Sequence, residues 1–121
     1  MLPTWLERTE LLVGSDALER LQKAHVLVVG LGGVGSFAAE FLARSGVGHL
    51  TIVDGDVVDP TNRNRQLQAL SSTHGQKKAW LMRDRLLDIN PECQVDAIDS
   101  FLDPEAMRQL LASGLAFTAV V

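Results

Sequence analysis

The chain has 121 residues, 46% of them hydrophobic and 21% charged, which is the length and apolar content of about one globular domain. Its net charge of −4 supplies no overall basic field, so bulk electrostatics does not mark a nucleic-acid binder. The single Cys93 has no disulfide partner within the chain and suits a reducing compartment. The first residues carry Pro3, Trp5, Glu7, Arg8 and Glu10 rather than an apolar leader, and no apolar run reaches the ~20 residues of a membrane span. The cytoplasm is the expected compartment, with no membrane partner.

Residues 1–24 read as an N-terminal arm and a helix that Ser15 or Asp16 caps and that runs to about Lys23, with Glu19 three residues after Asp16. His25-Val26-Leu27-Val28-Val29 is a continuous apolar run, the mark of a strand buried on both faces. From Gly33 to about Ser45, the residues Val34, Phe37, Ala38, Phe41 and Leu42 fall on one helical face, and Gly46 supplies the stop. His49-Leu50-Thr51-Ile52-Val53 is a second strand, closed by Asp54. A polar segment spans residues 55–75. The next helix carries Ala79, Met82, Leu86 and Ile89 on one face and stops at Asn90-Pro91. Gln94-Val95-Asp96-Ala97-Ile98 forms a third strand, and Asp103-Pro104 opens a helix bearing Met107, Leu110 and Leu111. Residues 116–121 read as the start of another buried strand, so the chain is expected to be the N-terminal part of a longer protein. Alternation of this kind predicts an α/β fold: a Rossmann-like three-layer αβα sandwich with a mainly parallel sheet, truncated. Residues 25–121 are its first part.

In Gly30-Leu31-Gly32-Gly33-Val34-Gly35 the first glycine permits a tight turn and the second lets backbone approach a phosphate. The third allows close helix–strand packing, with helix N–H groups favouring an anion. Asp54 follows Gly35 by 19 residues, the distance at which a carboxylate grips ribose hydroxyls; the plain alternative is a strand-end turn. Arg65 and Lys78 lie where a dinucleotide fold does not need them. Either they converge on phosphates, or with Arg63 and Lys77 they form a solvated basic surface. Asn62 and Gln66 orient Arg65 or satisfy loop backbone, and Asp56 serves a metal or the loop. His25, His49 and His74 are isolated in sequence and lack metal-ligand spacing, so no metal ligand is assigned. Cys93 reads as a structural thiol.

The ordered set Gly30-Leu31-Gly32-Gly33-Val34-Gly35, Asp54-Gly55-Asp56-Val57, Asn62-x-x-Arg65-Gln66 and Lys78 resembles the ThiF/MoeB/HesA family of ubiquitin-activating-like enzymes, from about Arg8 to Val121. The resemblance implies ATP as the nucleotide. Asp54 would hold its ribose and the glycine loop would back it. Arg65 and Lys78 would contact its phosphates, with Asp56, Asn62 and Gln66 nearby. Arg8 stands where the family's N-terminal arginine reaches a neighbouring subunit's ATP, which implies a homodimer. The family's magnesium-binding aspartate follows the strand that begins here at Phe117, so Mg2+ is an expected cofactor whose main ligand falls just past Val121. This stretch alone is therefore expected to be inactive.

Thr61–Gln66, Ile89–Cys93 and the aromatic Phe37 after Ser36 are similar to the branch of the family that cyclises threonylcarbamoyladenosine in tRNA with loss of water. That resemblance implies tRNA as substrate. The alternative is adenylylation of the C-terminus of a ubiquitin-like sulfur-carrier protein. A nicotinamide-dependent oxidoreductase explains the glycines and Asp54 but leaves Arg65 and Lys78 without a role.

Overall fold

Short apolar, β-branched runs line up in register to form the spine of the fold. The computed structural model describes residues 2–121. In it β1 (His25–Val29), β2 (His49–Val53), β3 (Gln94–Ile98) and β4 (Ala119–Val120) form one sheet in the order β3-β2-β1-β4. Every pairing is parallel, with His25 opposite His49 and His49 opposite Gln94. The helices are α1 (Glu7–Val13), α2 (Ser15–Lys23), α3 (Gly35–Arg44), α4 (Lys78–Ile89) and α5 (Pro104–Leu111). None among the described residues is long and apolar enough to cross a membrane.

Strand alternation sends Val26, Val28, Leu50 and Ile52 to one face, where Ala39 and Ala43 of α3 and Met82 and Leu86 of α4 cover them. The chain then passes from β3 back across the sheet to pair β4 with the far side of β1. The right-handed crossover rule carries α5 to the face opposite α3 and α4. The order reversal falls between β1 and β4, so the loop leaving β1 sits at the topological switch point, where such sheets bind ligands.

Three expectations need correction. The apolar face expected for α3 is mostly turned outward: Val34, just before the helix, is 79% and Phe41 59% exposed and Leu42 packs only partly on the core, while Ser36, Ala39, Glu40 and Ala43 are buried. The helix is phased by close packing at its start, where a Cβ on Gly35 would lie 1.7 Å from the Gly30 carbonyl oxygen. Only small residues then fit against the strands, and the one buried charge, Glu40, is ion-paired with Arg85 and, at 3.4 Å, with Arg44. Second, neither of the expected capping residues caps α2. A 3-10 turn (Thr4–Leu6) and α1 precede α2, and Gly14 at φ +88° separates the two helices, so neither Ser15 nor Asp16 caps α2. Third, β4 forms but is not buried among the described residues, because it pairs only with β1.

The parallel register also assembles a cluster that spacing alone does not reveal. On the sheet face away from α3, the rings of His25 and His49 stack with centroids 3.4 Å apart. His25 Nε2 meets Thr51 Oγ1 at 2.7 Å, and His49 Nε2 meets Asp96 Oδ2 at 2.6 Å. The ligating atoms of His25, His49 and Asp96 lie within 4.8 Å of one another. Two parallel rings in van der Waals contact cannot both aim their in-plane lone pairs at one ion, so this arrangement is a polar stack rather than a metal cage. Burial, then the neighbouring His49, lowers the His25 pKa from 6.5, while Asp96 partly offsets them.

Two outcomes follow from this packing. A Cβ on Gly48 would lie 1.8 Å from the Gln22 carbonyl oxygen, so Gly48→Ala should cost about 3 kcal/mol in urea unfolding by forcing α2 and β2 apart. The unfolded chain binds a proton at His25 more readily than the folded one, so stability should rise with pH and fall as the pH drops below 6.5. His25→Gln should remove that part of the slope when urea unfolding is repeated across the window; an unchanged slope would place the titration elsewhere.

Candidate nucleotide-binding site

The glycine loop leaves β1 at the carboxyl edge of the sheet. Gly30 takes φ +89°, a conformation that favours glycine, and its N–H donates to the Val53 carbonyl at 2.7 Å. Leu31 is fully buried between the first two glycines, and side chains hold both of its backbone polar groups. Its N–H donates to Asp54 Oδ2 at 2.7 Å, and its carbonyl accepts from Gln68 Nε2 at 2.7 Å. Ser36 Oγ donates to the Gly32 carbonyl at 2.6 Å. No hydrogen bond from the Gly32 or Gly33 N–H is present among the described residues. These two donors and the start of α3 therefore make a cradle for an anion.

Asp54, at the end of β2, is tied to this loop. Besides Leu31 it accepts from the Asp56 N–H through Oδ1 at 2.8 Å, which leaves each oxygen a second lone pair.

The polar segment folds back onto the cradle. Asp59 opens a 3-10 turn (Pro60–Asn64) and accepts from the Thr61 N–H at 2.9 Å, while Asn62 Oδ1 accepts from the Asp59 N–H at 2.9 Å. Asn62 is thus buried in a capping box that closes the turn. Arg65 lies over Gly33, where an added Cβ would find Arg65 Cγ at 3.5 Å. Its Nη1 donates to the Thr61 carbonyl at 3.1 Å and to Asn64 Oδ1 at 2.7 Å. Gln66 is buried beside Gly32, and its Oε1 has no hydrogen-bond partner among the described residues. Leu67 N–H donates to Ser36 Oγ at 3.4 Å, a further stitch between the segments.

Lys78 opens α4 and is only 5% exposed, with Nζ 3.6 Å from Asp56 Oδ2 and its N–H on the Asp56 carbonyl at 3.1 Å. Asp56 therefore joins Asp54 to Lys78. The adjacent Lys77 is ion-paired with Asp99, which follows β3. Beyond Asp99 the chain forms one wall of a cleft of about 180 Å³ lined by Gly30, Val53, Asp54, Ser100 and Phe101. Gly55 is flush with that wall, since a Cβ there would lie 2.6 Å from the Phe101 N.

Of the residues expected from sequence, the glycines, Asp54, Asp56, Arg65, Gln66 and Lys78 gather at this edge. Arg8 does not join them. It is exposed on α1, which packs on α2 and on the Thr4–Leu6 turn, and Leu6 is seated against Gly46 at the opposite edge of the sheet. A larger cavity of about 250 Å³ at that opposite edge, lined by Leu6, Gly46, Gly48 and Asn90 among others, has no cationic side chain. Sequence reasoning missed Gln68 and Phe101. The signal for Phe101 was an aromatic just past a strand end; Gln68 had none, because its role depends on a fold-back. Burial pushes the Cys93 thiol up to about 11, so it is no nucleophile.

A concave edge with unpaired N–H donors, a half-buried carboxylate and two cations suits a nucleotide bearing phosphates. The sequence profile of the ThiF family matches residues 6–121. The tRNA threonylcarbamoyladenosine dehydratase of Bacillus subtilis is 54% identical over 110 residues, covering 91% of this chain and 43% of that protein. The molybdopterin-synthase adenylyltransferase of Salmonella typhimurium is 45% identical over 97 residues, covering 80% of this chain and 39% of that protein. The crystal structure of the Escherichia coli tRNA N6-threonylcarbamoyladenosine dehydratase in complex with ATP superposes with a TM-score of 0.91 at 43% identity, covering 98% of this chain and 49% of that one. The chain thus spans less than half the length of these relatives. It belongs to the ThiF family, on a fold it shares with an ATP-binding relative.

Proposed function

We propose that this chain is the nucleotide-binding part of an enzyme that uses ATP to activate a carboxylate, with threonylcarbamoyladenosine in tRNA as the substrate that cyclises and loses water. The observation that carries the reading is the cradle of Gly32 and Gly33 N–H groups with Arg65 lying across it. ATP supplies a leaving group where hydroxide would be a poor one. Asp54 takes the ribose hydroxyls with the lone pairs that Leu31 and Asp56 leave free. Arg65 exchanges its Thr61 and Asn64 acceptors for phosphate oxygens, and Lys78 exchanges its long contact with Asp56. These cations stabilise charge that builds on the phosphates. Gln66 backs the loop, and Asn62 acts indirectly by fixing the turn that carries Arg65.

Magnesium would join ATP at the phosphates in this reading and help to neutralise their charge. Residues 1–24 serve as an arm and residues 25–121 as the body of the site. The enzyme works as a cytoplasmic homodimer. The outward stripe of Val34, Phe37 and Phe41 at α3 supports the dimer, in which Arg8 would reach the neighbouring site. The second reading, adenylylation of a ubiquitin-like sulfur carrier, draws on the likeness to the Salmonella adenylyltransferase and uses the same residues. A nicotinamide reaction leaves Arg65 and Lys78 idle.

In calorimetric titrations of this chain, ATP should bind more tightly than NAD. Lys78→Ala and Arg65→Ala should each weaken ATP about tenfold or more while changing adenosine less than about twofold. Equal losses for both ligands would refute the phosphate contacts, and a preference for NAD would restore the oxidoreductase. For the reaction, a protein containing this chain at the full length of its relatives should be incubated with ATP, Mg2+ and tRNA bearing threonylcarbamoyladenosine. Nucleoside mass spectrometry should show ATP-dependent loss of one water. No change with an ATP-competent protein would favour the sulfur-carrier reaction.

A further inference from the structure

We infer that Gln68 is a positioning residue for the phosphate cradle, an inference that rests on the nucleotide reading above. Its side chain is 3% exposed, and its Nε2 donates to the Leu31 carbonyl at 2.7 Å across 37 positions of sequence. A trans peptide is planar, so its C=O and N–H point in opposite directions. Holding the Leu31 carbonyl toward Gln68 therefore aims the Gly32 N–H the other way, into the cradle. Asp54 holds the Leu31 N–H at 2.7 Å, which orients the preceding peptide plane. Two adjoining planes of the loop are thereby fixed by two side chains from different elements.

The Gln68 Oε1 is buried without a hydrogen-bond partner among the described residues. A buried amide that leaves its acceptor unpaired carries a cost, and its one side-chain contact that offsets this cost is the bond to the Leu31 carbonyl. What the amide contributes here is its donor. The segment behind it is braced to keep that donor in place: Thr73 Oγ1 donates to the Gln68 carbonyl at 2.7 Å, and Leu67 N–H donates to Ser36 Oγ. The position of Gln68 thus depends on the same fold-back that lays Arg65 over Gly33.

The test compares ATP, AMP and adenosine by calorimetry on the wild-type chain, Gln68→Met and Gln68→Glu. Methionine keeps the length and loses the donor; it removes one buried orphan and leaves another at the Leu31 carbonyl, so the melting temperature should move by no more than about 5 °C. ATP and AMP should weaken about tenfold and adenosine less than about twofold, since the loop reads phosphate and Asp54 reads ribose. In Gln68→Glu the deficit should grow from about pH 6 to about pH 8, because only the protonated carboxyl donates to the Leu31 carbonyl. Either folded variant is sufficient. A phosphate preference that survives in both overturns this inference alone, as does an equal loss for all three ligands. A wild-type chain that does not prefer ATP to adenosine overturns the nucleotide reading and this inference with it.

Discussion

The contact between Gly35 and the Gly30 carbonyl is the constraint on which the carboxyl edge depends. No side chain fits between them, so the turn and the first residue of α3 form one rigid unit. Everything downstream on α3 inherits its phase from that point. Ser36, Ala39 and Ala43 meet the strands because only small residues can follow so close an approach. Ser36 then uses its hydroxyl twice, donating to the Gly32 carbonyl and accepting from Leu67. Close packing and hydrogen bonding thus tie the loop, the helix and the returning polar segment together.

Charge at this edge is balanced before any ligand arrives. Asp54 is occupied by backbone N–H groups, Arg65 rests on neutral oxygens, and Lys78 is near the exposed carboxylate of Asp56. Such parked contacts limit the desolvation cost of a buried lysine while leaving it able to change partner. Neutral acceptors hold a guanidinium less firmly than a charged oxygen does. Asn62 closes the turn that carries Arg65, accepting from the Asp59 N–H.

Local patterns in the sequence carried the strands. β1 and β2 fall on the expected residues because each is a short run of mostly apolar and β-branched side chains, and β3 because Val95, Ala97 and Ile98 follow the Asn90-Pro91 break. The glycine spacing and the carboxylate at the end of β2 were equally readable, being set within single loops. What stayed hidden depends on contacts between distant segments. The periodicity of α3 named an apolar face correctly but not its direction, since Phe37 and Phe41 face away from the sheet. Hydrophobicity does not say which layer a residue will meet. Gln68 looked like any polar loop residue until residues 65–68 folded onto the loop. The pairing of His25 with His49 needed the strand register, which no single strand contains. The helix α1 has no buried residue, so its pattern held no burial signal to find.

The ion pair between Lys77 and Asp99 spans the ends of two elements, since Lys77 precedes the buried Lys78 and Asp99 leads into the Phe101 wall of the cleft. The two regions that flank Asp54 are thereby fastened to each other by a link that touches neither directly. Loss of this pair would loosen the cleft wall and the start of α4 together.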